Sequence, residues 1–138
     1  MNVPNHAEID DAETQSAMAF LQALGRLDFE GATAYLDEDA VLDLPYAGSG
    51  HVIRGRHHVM TFFRDTMIGK VSNITYQLDF AYASREPGLI ALEVSTEVEA
   101  ALSGTAFNRL VAIFRFRLGK IVLFREYFNP VPIAALPR

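Results

Sequence analysis

From Ile74 to Pro130 the chain repeats one pattern in four successive segments: apolar residues hold alternate positions, and short turns cut the segments apart. Side chains of a strand point alternately to its two faces, so this pattern predicts an antiparallel meander with one covered face. In the first segment Ile74, Tyr76, Leu78, Phe80 and Tyr82 share a side. After the Glu86-Pro87-Gly88 turn, Ile90, Leu92, Val94, Thr96 and Val98 oppose Ala91, Glu93, Ser95, Glu97 and Glu99. After Ser103-Gly104, Ala106, Asn108, Leu110, Ala112, Phe114 and Phe116 oppose Phe107, Arg109, Val111, Ile113, Arg115 and Arg117. Glu93, Glu97 and Glu99 are expected to face Arg109, Arg115 and Arg117 as cross-strand charge partners.

The last segment, Lys120 to Pro130, places an acid in an apolar row. Alternation puts Val122, Phe124, Glu126 and Phe128 on one face and Ile121, Leu123, Arg125 and Tyr127 on the other. A carboxyl desolvated among aromatic rings resists ionising, and its raised pKa makes it a proton carrier near neutral pH. The other reading is a solvated glutamate paired with a nearby arginine.

The first half has helical spacing. Ala17, Phe20, Leu21 and Leu24 form one stripe behind an Asp10 or Asp11 cap, and Gly25 ends it. Asp28 caps a shorter helix burying Phe29, Ala32, Tyr35 and Leu36, which Asp37-Glu38-Asp39 terminates. A strand from Ala40 follows, with Leu42 and Leu44 opposite Val41 and Asp43, and Pro45 stops it. The loop from Tyr46 to His51 contains glycines but neither GxxxxGK[ST] nor GxGxxG, which argues against a phosphate cradle. A third helix from Gly55 to Met67 is expected to turn Val59, Phe62, Phe63, Thr66 and Met67 inward, with His58 one turn before Phe62.

The helices precede the meander, which is the order of an α+β domain. Residues 1–11 are expected to be a flexible amino-terminal segment and residues 12–138 a single domain. A net charge of −5 argues against nucleic-acid binding. With no cysteine and no helical pairing among His51, His57 and His58, neither metal nor other cofactor is expected. No basic-then-apolar leader or bilayer-length apolar run occurs, so a cytoplasmic protein without membrane contact is expected. The meander offers more apolar surface than three helices can cover, which predicts a homodimer.

Gly25-Arg26-Leu27-Asp28, Asp39-Ala40-Val41, Ile53-Arg54-Gly55 and the closing meander, in that order, resemble the nuclear transport factor 2-like superfamily, which includes ketosteroid isomerases and SnoaL-type cyclases. The resemblance covers roughly residues 12–132. It implies a cone-shaped, curved antiparallel sheet with three helices over its concave face, one deep pocket, and a dimer through the convex face. Arg125-Glu126-Tyr127-Phe128-Asn129-Pro130 and Ala134-Ala135-Leu136-Pro137 are similar to the end of the phenazine-biosynthesis A/B proteins, which implies that Glu126 is an acid/base. The histidine of that group's third helix falls near Phe62, with His58 as a neighbouring substitute. In the ketosteroid isomerase pattern the catalytic aspartate aligns with Leu44 and the helix-one tyrosine with Phe20, which argues against that mechanism unmodified. The Asp-Arg-Asp set of epoxide hydrolases of this fold does not assemble from Asp43, Asp79 and an inward arginine.

Together these readings predict a cofactor-independent isomerase or cyclase of secondary-metabolism type, with Glu126 and His58 catalytic and an apolar cyclic substrate. Phe20, Tyr46, Phe62, Phe80, Phe114 and Phe128 would supply shape, and Asn108 would orient a polar substituent. The alternative is a noncatalytic binding or accessory dimer with the same pocket.

Overall fold

A computed structural model of the protein describes residues 11–47, 51–102 and 104–129. The expectations for the amino-terminal segment before Asp11, for Gly48-Ser49-Gly50 and for the chain after Asn129 lie outside the described residues.

Helix α1 (Ala12–Gly25) starts where the Asp11 carboxylate accepts a hydrogen bond from the Thr14 amide at 2.6 Å, and it buries Ala17, Phe20, Leu21 and Leu24. Helix α2 (Phe29–Thr33) is capped by Asp28, which accepts from the Gly31 amide at 2.9 Å. It is shorter than the spacing predicts, because strand β1 (Leu36–Leu44) already begins at Leu36 and takes up Asp37-Glu38-Asp39. The end of α2 is instead tied to a distant strand: Lys120 donates to the Ala34 carbonyl at 2.6 Å, and the Ile121 amide to that of Tyr35 at 2.9 Å. Strand β2 (His51–Arg54) pairs with β1 through Leu42 and Ile53. Sequence reading treats β2 only as the approach to the third helix, since four mostly exposed residues carry no burial period. Helix α3 (Arg56–Met67) buries Val59, Met60, Phe63 and Met67. Thr66, expected inside, is exposed and donates to the Phe62 carbonyl.

The strands β3 (Val71–Ala83), β4 (Leu89–Ala100), β5 (Thr105–Arg117) and β6 (Lys120–Phe128) complete a six-stranded sheet of order β2-β1-β6-β5-β4-β3. The meander is antiparallel as expected, but β1 lies parallel to β6, so the sheet is mixed. The helices cover one face of it, an α+β arrangement. The inner face of β4 and β5 is the row the alternation predicts, with Leu92, Val94, Ala112 and Phe114 buried.

Of the register shifts in the sheet, two change which residues of the predicted rows face inward. Leu78 pairs with Val94 but Phe80 with Glu93, so Asp79 is the extra residue, and beyond it Phe80 and Tyr82 turn to the outer face. Arg115 pairs with Leu123 but Phe116 with Ile121, so Val122 is extra and Ile121 becomes fully buried. The charge ladder also changes register: Glu93, Glu97 and Glu99 oppose Val111, Phe107 and Thr105. The arginines are on the expected face but pair elsewhere, Arg115 with Glu86 at 2.9 Å and Arg117 with Asp37 at 3.0 Å, while Arg109 reaches Glu93 only diagonally at 4.0 Å.

The core is aromatic where helices meet sheet. Phe114 and Phe124, directly paired on β5 and β6, stack 4.8 Å apart with rings 3° from parallel. Phe20 meets both edge-on, and Phe63 reaches Phe20 and Phe124 from α3. Helix α1 comes close enough to β3 that a Cβ on Gly25 would lie 2.0 Å from the Ile74 carbonyl oxygen and 3.2 Å from the Tyr76 ring. Gly25→Ala must therefore push the helix off the strand. It is expected to cost about 1–3 kcal/mol of stability, the usual penalty of overpacking, read as a lowered urea midpoint at unchanged slope.

Candidate functional site

Glu126 pairs across the ladder with fully buried Ala112, between the inward Phe124 and Phe128. It is thus on the inner face, under the helices, and Arg125 beside it points the other way. On the outer face Arg125 donates from Nε to Asp43 at 2.8 Å, joining β6 to β1, and no arginine among the described residues pairs with Glu126. Desolvation pushes the Glu126 carboxyl up from 4.5 to about 7. Its oxygens accept no hydrogen bond from any described residue, yet neither is sealed off from water.

Tyr76 shares this environment. On β3 it pairs with Thr96, whose burial marks the inner face, and its ring packs against the core. Burial first, and then the charge of Glu126, raise its phenol pKa well above the ordinary value. β4 and β5 lie between these two residues, and the ladder also sets them four residues apart along the strands, Tyr76 level with Thr96 and Glu126 with Leu92, so a flat sheet would hold them roughly 20 Å apart. Their electrostatic interaction reflects the curl of the sheet. The Tyr76 hydroxyl likewise has no hydrogen-bond partner among the described residues. Sequence reading assigns Tyr76 to the inward row but not to the site; the missing signal is a hydroxyl in an otherwise apolar row facing the row of Glu126.

The other predicted residues divide by position. Phe20 and Phe114 are fully buried within the aromatic cluster. Phe62 and Phe128 are half-buried against that core. Asn108 faces inward, but its amide donates to the Asn129 carbonyl at 2.7 Å while its oxygen accepts from the Arg109 amide at 2.8 Å. Three expectations are corrected. His58 is exposed on α3, its ring 5.7 Å from that of His57, and is not brought to Glu126. Phe80 lies on the outer face because of the Asp79 bulge. Tyr46 is 58% exposed and packs edge-on against the outward Tyr127.

Asp79 is on the outer side too, accepting from Ser95 at 2.5 Å, in a shallow depression of about 540 Å³ shared with Gln77, Phe80 and Arg109. Asp43, Asp79 and the arginines near them thus form no Asp-Arg-Asp set on the inner face among the described residues. Those residues also contain no group of histidine and carboxylate side chains arranged to hold a metal ion. No helix among them is long and apolar enough to cross a membrane.

The model of the SnoaL-like domain matches residues 17–124. The chain belongs to the SnoaL-like family. It is 23% identical over 117 residues to the uncharacterized protein YesE of Bacillus subtilis (strain 168), a match spanning 83% of this chain and 79% of that one. An LEH-like epoxide hydrolase of M. tuberculosis has a similar fold, with a TM-score of 0.72 at 22% identity over 89% of this chain and 86% of that one. So does RV0760c from Mycobacterium tuberculosis, solved in complex with estradiol-17beta-hemisuccinate, with a TM-score of 0.72 at 24% identity over 89% and 98% of the two chains. The nuclear transport factor 2-like architecture is thus shared, whereas the similarity to the phenazine-biosynthesis ending stays a likeness of sequence.

Glu126 makes stability depend on pH in a direction opposite to most carboxylates. Unfolded, it loses its proton near 4.5; folded, it keeps it to about 7. Between those values the folded state holds the extra proton, so this contribution to stability falls as pH rises through the window and is lowest above pH 7. Glu126→Gln is expected to be more stable than the wild type above pH 7, by up to roughly 3 kcal/mol, with the gain vanishing toward pH 4. Urea titrations of both proteins across that range check it.

Proposed function

We propose that the protein binds an apolar cyclic small molecule against the inner face of its sheet and moves a proton on it, with Glu126 as general acid/base, in an isomerase- or cyclase-type reaction. The observation that carries this reading is a half-buried carboxyl without hydrogen-bond or charge partner among the described residues, held by its surroundings at a pKa of about 7. Such a group both accepts and returns a proton near neutral pH, where an ordinary glutamate stays ionised. A structural ion pair would have been satisfied by Arg125, and that arginine serves Asp43 instead. The steroid ester held by RV0760c and the epoxide hydrolase activity named for the other relative fit a fold that receives compact, largely apolar organic molecules.

Phe128, Phe62 and the edge of the Phe114–Phe124 stack would supply shape, and the reaction needs no redox partner, since the proton leaves and returns by way of one carboxyl. The same chain without turnover, a binding or accessory protein, is the competing reading, and one substitution separates the two. Glu126→Gln keeps size and reach but cannot carry a proton. Proton exchange into a panel of cyclic dienes and enones, followed by NMR in heavy water, is expected to fall about 10²- to 10⁴-fold in this variant while binding persists. Binding by the wild type with no exchange would leave the noncatalytic reading.

We further propose a homodimer joined through the outer face of the sheet. Phe80, Tyr82, Phe107 and Val111 are exposed there, Phe107 to 68%, and no helix among the described residues covers them. Sedimentation is expected to give twice the chain mass at micromolar concentration, and Phe107→Asp to shift it toward the single chain.

A further inference from the structure

The ladder sets the polar side chains Tyr76, Thr96, Asn108 and Glu126 on the inner face of the meander. Two of them are already engaged. Thr96 donates to the Asn108 carbonyl at 3.3 Å, and the Asn108 amide bridges the Asn129 carbonyl and the Arg109 amide. The Tyr76 hydroxyl and the Glu126 carboxyl are not engaged by any described residue, and neither is sealed. A polar group left in this condition costs free energy unless something that enters the site satisfies it.

We infer that Tyr76 is the specificity-determining donor of this site, its hydroxyl holding an acceptor oxygen of the bound molecule, so that oxygen-bearing ring compounds are chosen over hydrocarbons of the same shape. The ring is held for this purpose. It packs on the core and against Gly25, where a methyl group would come within 3.2 Å of Cε2, so the absent side chain of α1 is the slot in which it lies. Burial and the nearby charge of Glu126 keep the phenol protonated, and a protonated phenol can always donate. Glu126 cannot take this role when ionised, since a carboxylate only accepts; the two residues therefore divide the polar work between a fixed donor and a proton carrier. Of the orienting groups expected from the sequence, His58 is exposed on α3 and Asn108 is engaged, which leaves Tyr76.

The inference builds on the proposed inner-face ligand site but does not need the proton transfer, and its test uses binding alone. The probes are α-tetralone and tetralin, a bicyclic ketone and the hydrocarbon of the same ring skeleton, titrated into wild type, Tyr76→Phe and Glu126→Gln and followed by NMR. Wild type and Glu126→Gln are expected to bind the ketone about tenfold more tightly than the hydrocarbon, the ordinary worth of one neutral hydrogen bond. Tyr76→Phe is expected to bring the ratio to about one with tetralin affinity unchanged. A merely structural tyrosine would weaken both probes together, so the tetralin arm also reports whether the variant has kept its fold. A ketone preference that survives Tyr76→Phe, or a wild type that shows no preference or binds neither probe, overturns the inference. If Glu126→Gln abolishes exchange while Tyr76→Phe keeps the preference, the proposed reaction stands and this assignment falls; the converse result keeps Tyr76 and removes the reaction.

Discussion

The contact on which the rest of this structure depends is the stack of Phe114 on Phe124. The two rings belong to neighbouring strands and lie 4.8 Å apart; Phe20 of α1 meets both edge-on, and Phe63 of α3 stacks on Phe124 with the rings 25° from parallel. Edge-on and offset contacts suit the charge distribution of aromatic rings and add about 0.5–1.5 kcal/mol each to the burial of their area. One cluster therefore fixes both longer helices to the centre of the sheet. It also fills that part of the inner face, which leaves the adjoining rows, where Glu126, Phe128 and Tyr76 are found, for the proposed ligand. The packing that stabilises the fold thereby decides where the remaining space can be.

Glu126 and Tyr76 show the cost of such a place. A carboxyl and a phenol among apolar side chains give up the water that would stabilise their charged forms, and neither recovers the loss through a hydrogen bond within the described residues. The outer face has the opposite character. There Asp43 with Arg125 and Asp37 with Arg117 form geometrically good but partly solvated pairs, whose worth is small apiece. Charge is neutralised where it does little chemistry and left unneutralised where a proton could be moved.

Much of this was legible in the alternation from residue 74 onward, because a period of two leaves each residue one of two faces and burial selects between them. That reasoning placed Glu126 in the row of Phe124 and Phe128, where the ladder also has it. It failed at Asp79 and at Val122, since a bulge adds one residue and inverts the faces beyond it; neither site carries a glycine or proline to announce the shift. Alternation alone therefore turns Phe80 inward and Ile121 outward, the reverse of their places in the sheet. The parallel pairing of β1 with β6 was hidden for another reason: partners so far apart in the chain leave no local trace in either strand. His58 was placed by helical spacing relative to Phe62, but α3 turns Val59, Met60, Phe63 and Met67 inward, which rotates the stripe away from His58. In the alternation Tyr76 is one more member of the inward row, because its hydroxyl acquires meaning only when the curl of the sheet brings it within the field of a residue on β6.

The parallel pair has a further consequence, for the order of assembly. Adjacent strands of the meander are joined by short turns, such as the one at Leu118 and Gly119 where both residues take positive φ. The Asp43–Arg125 clasp instead joins residues 82 positions apart. Loop entropy rises with the logarithm of the span, about 0.6 kcal/mol per doubling, so hairpins close cheaply and this pair does not. If the meander forms first, the intervening chain is already folded back on itself and most of that span has collapsed before β1 arrives. The least costly route thus runs against the direction of the chain: the strand nearest the amino terminus is added to a sheet begun by those that follow it.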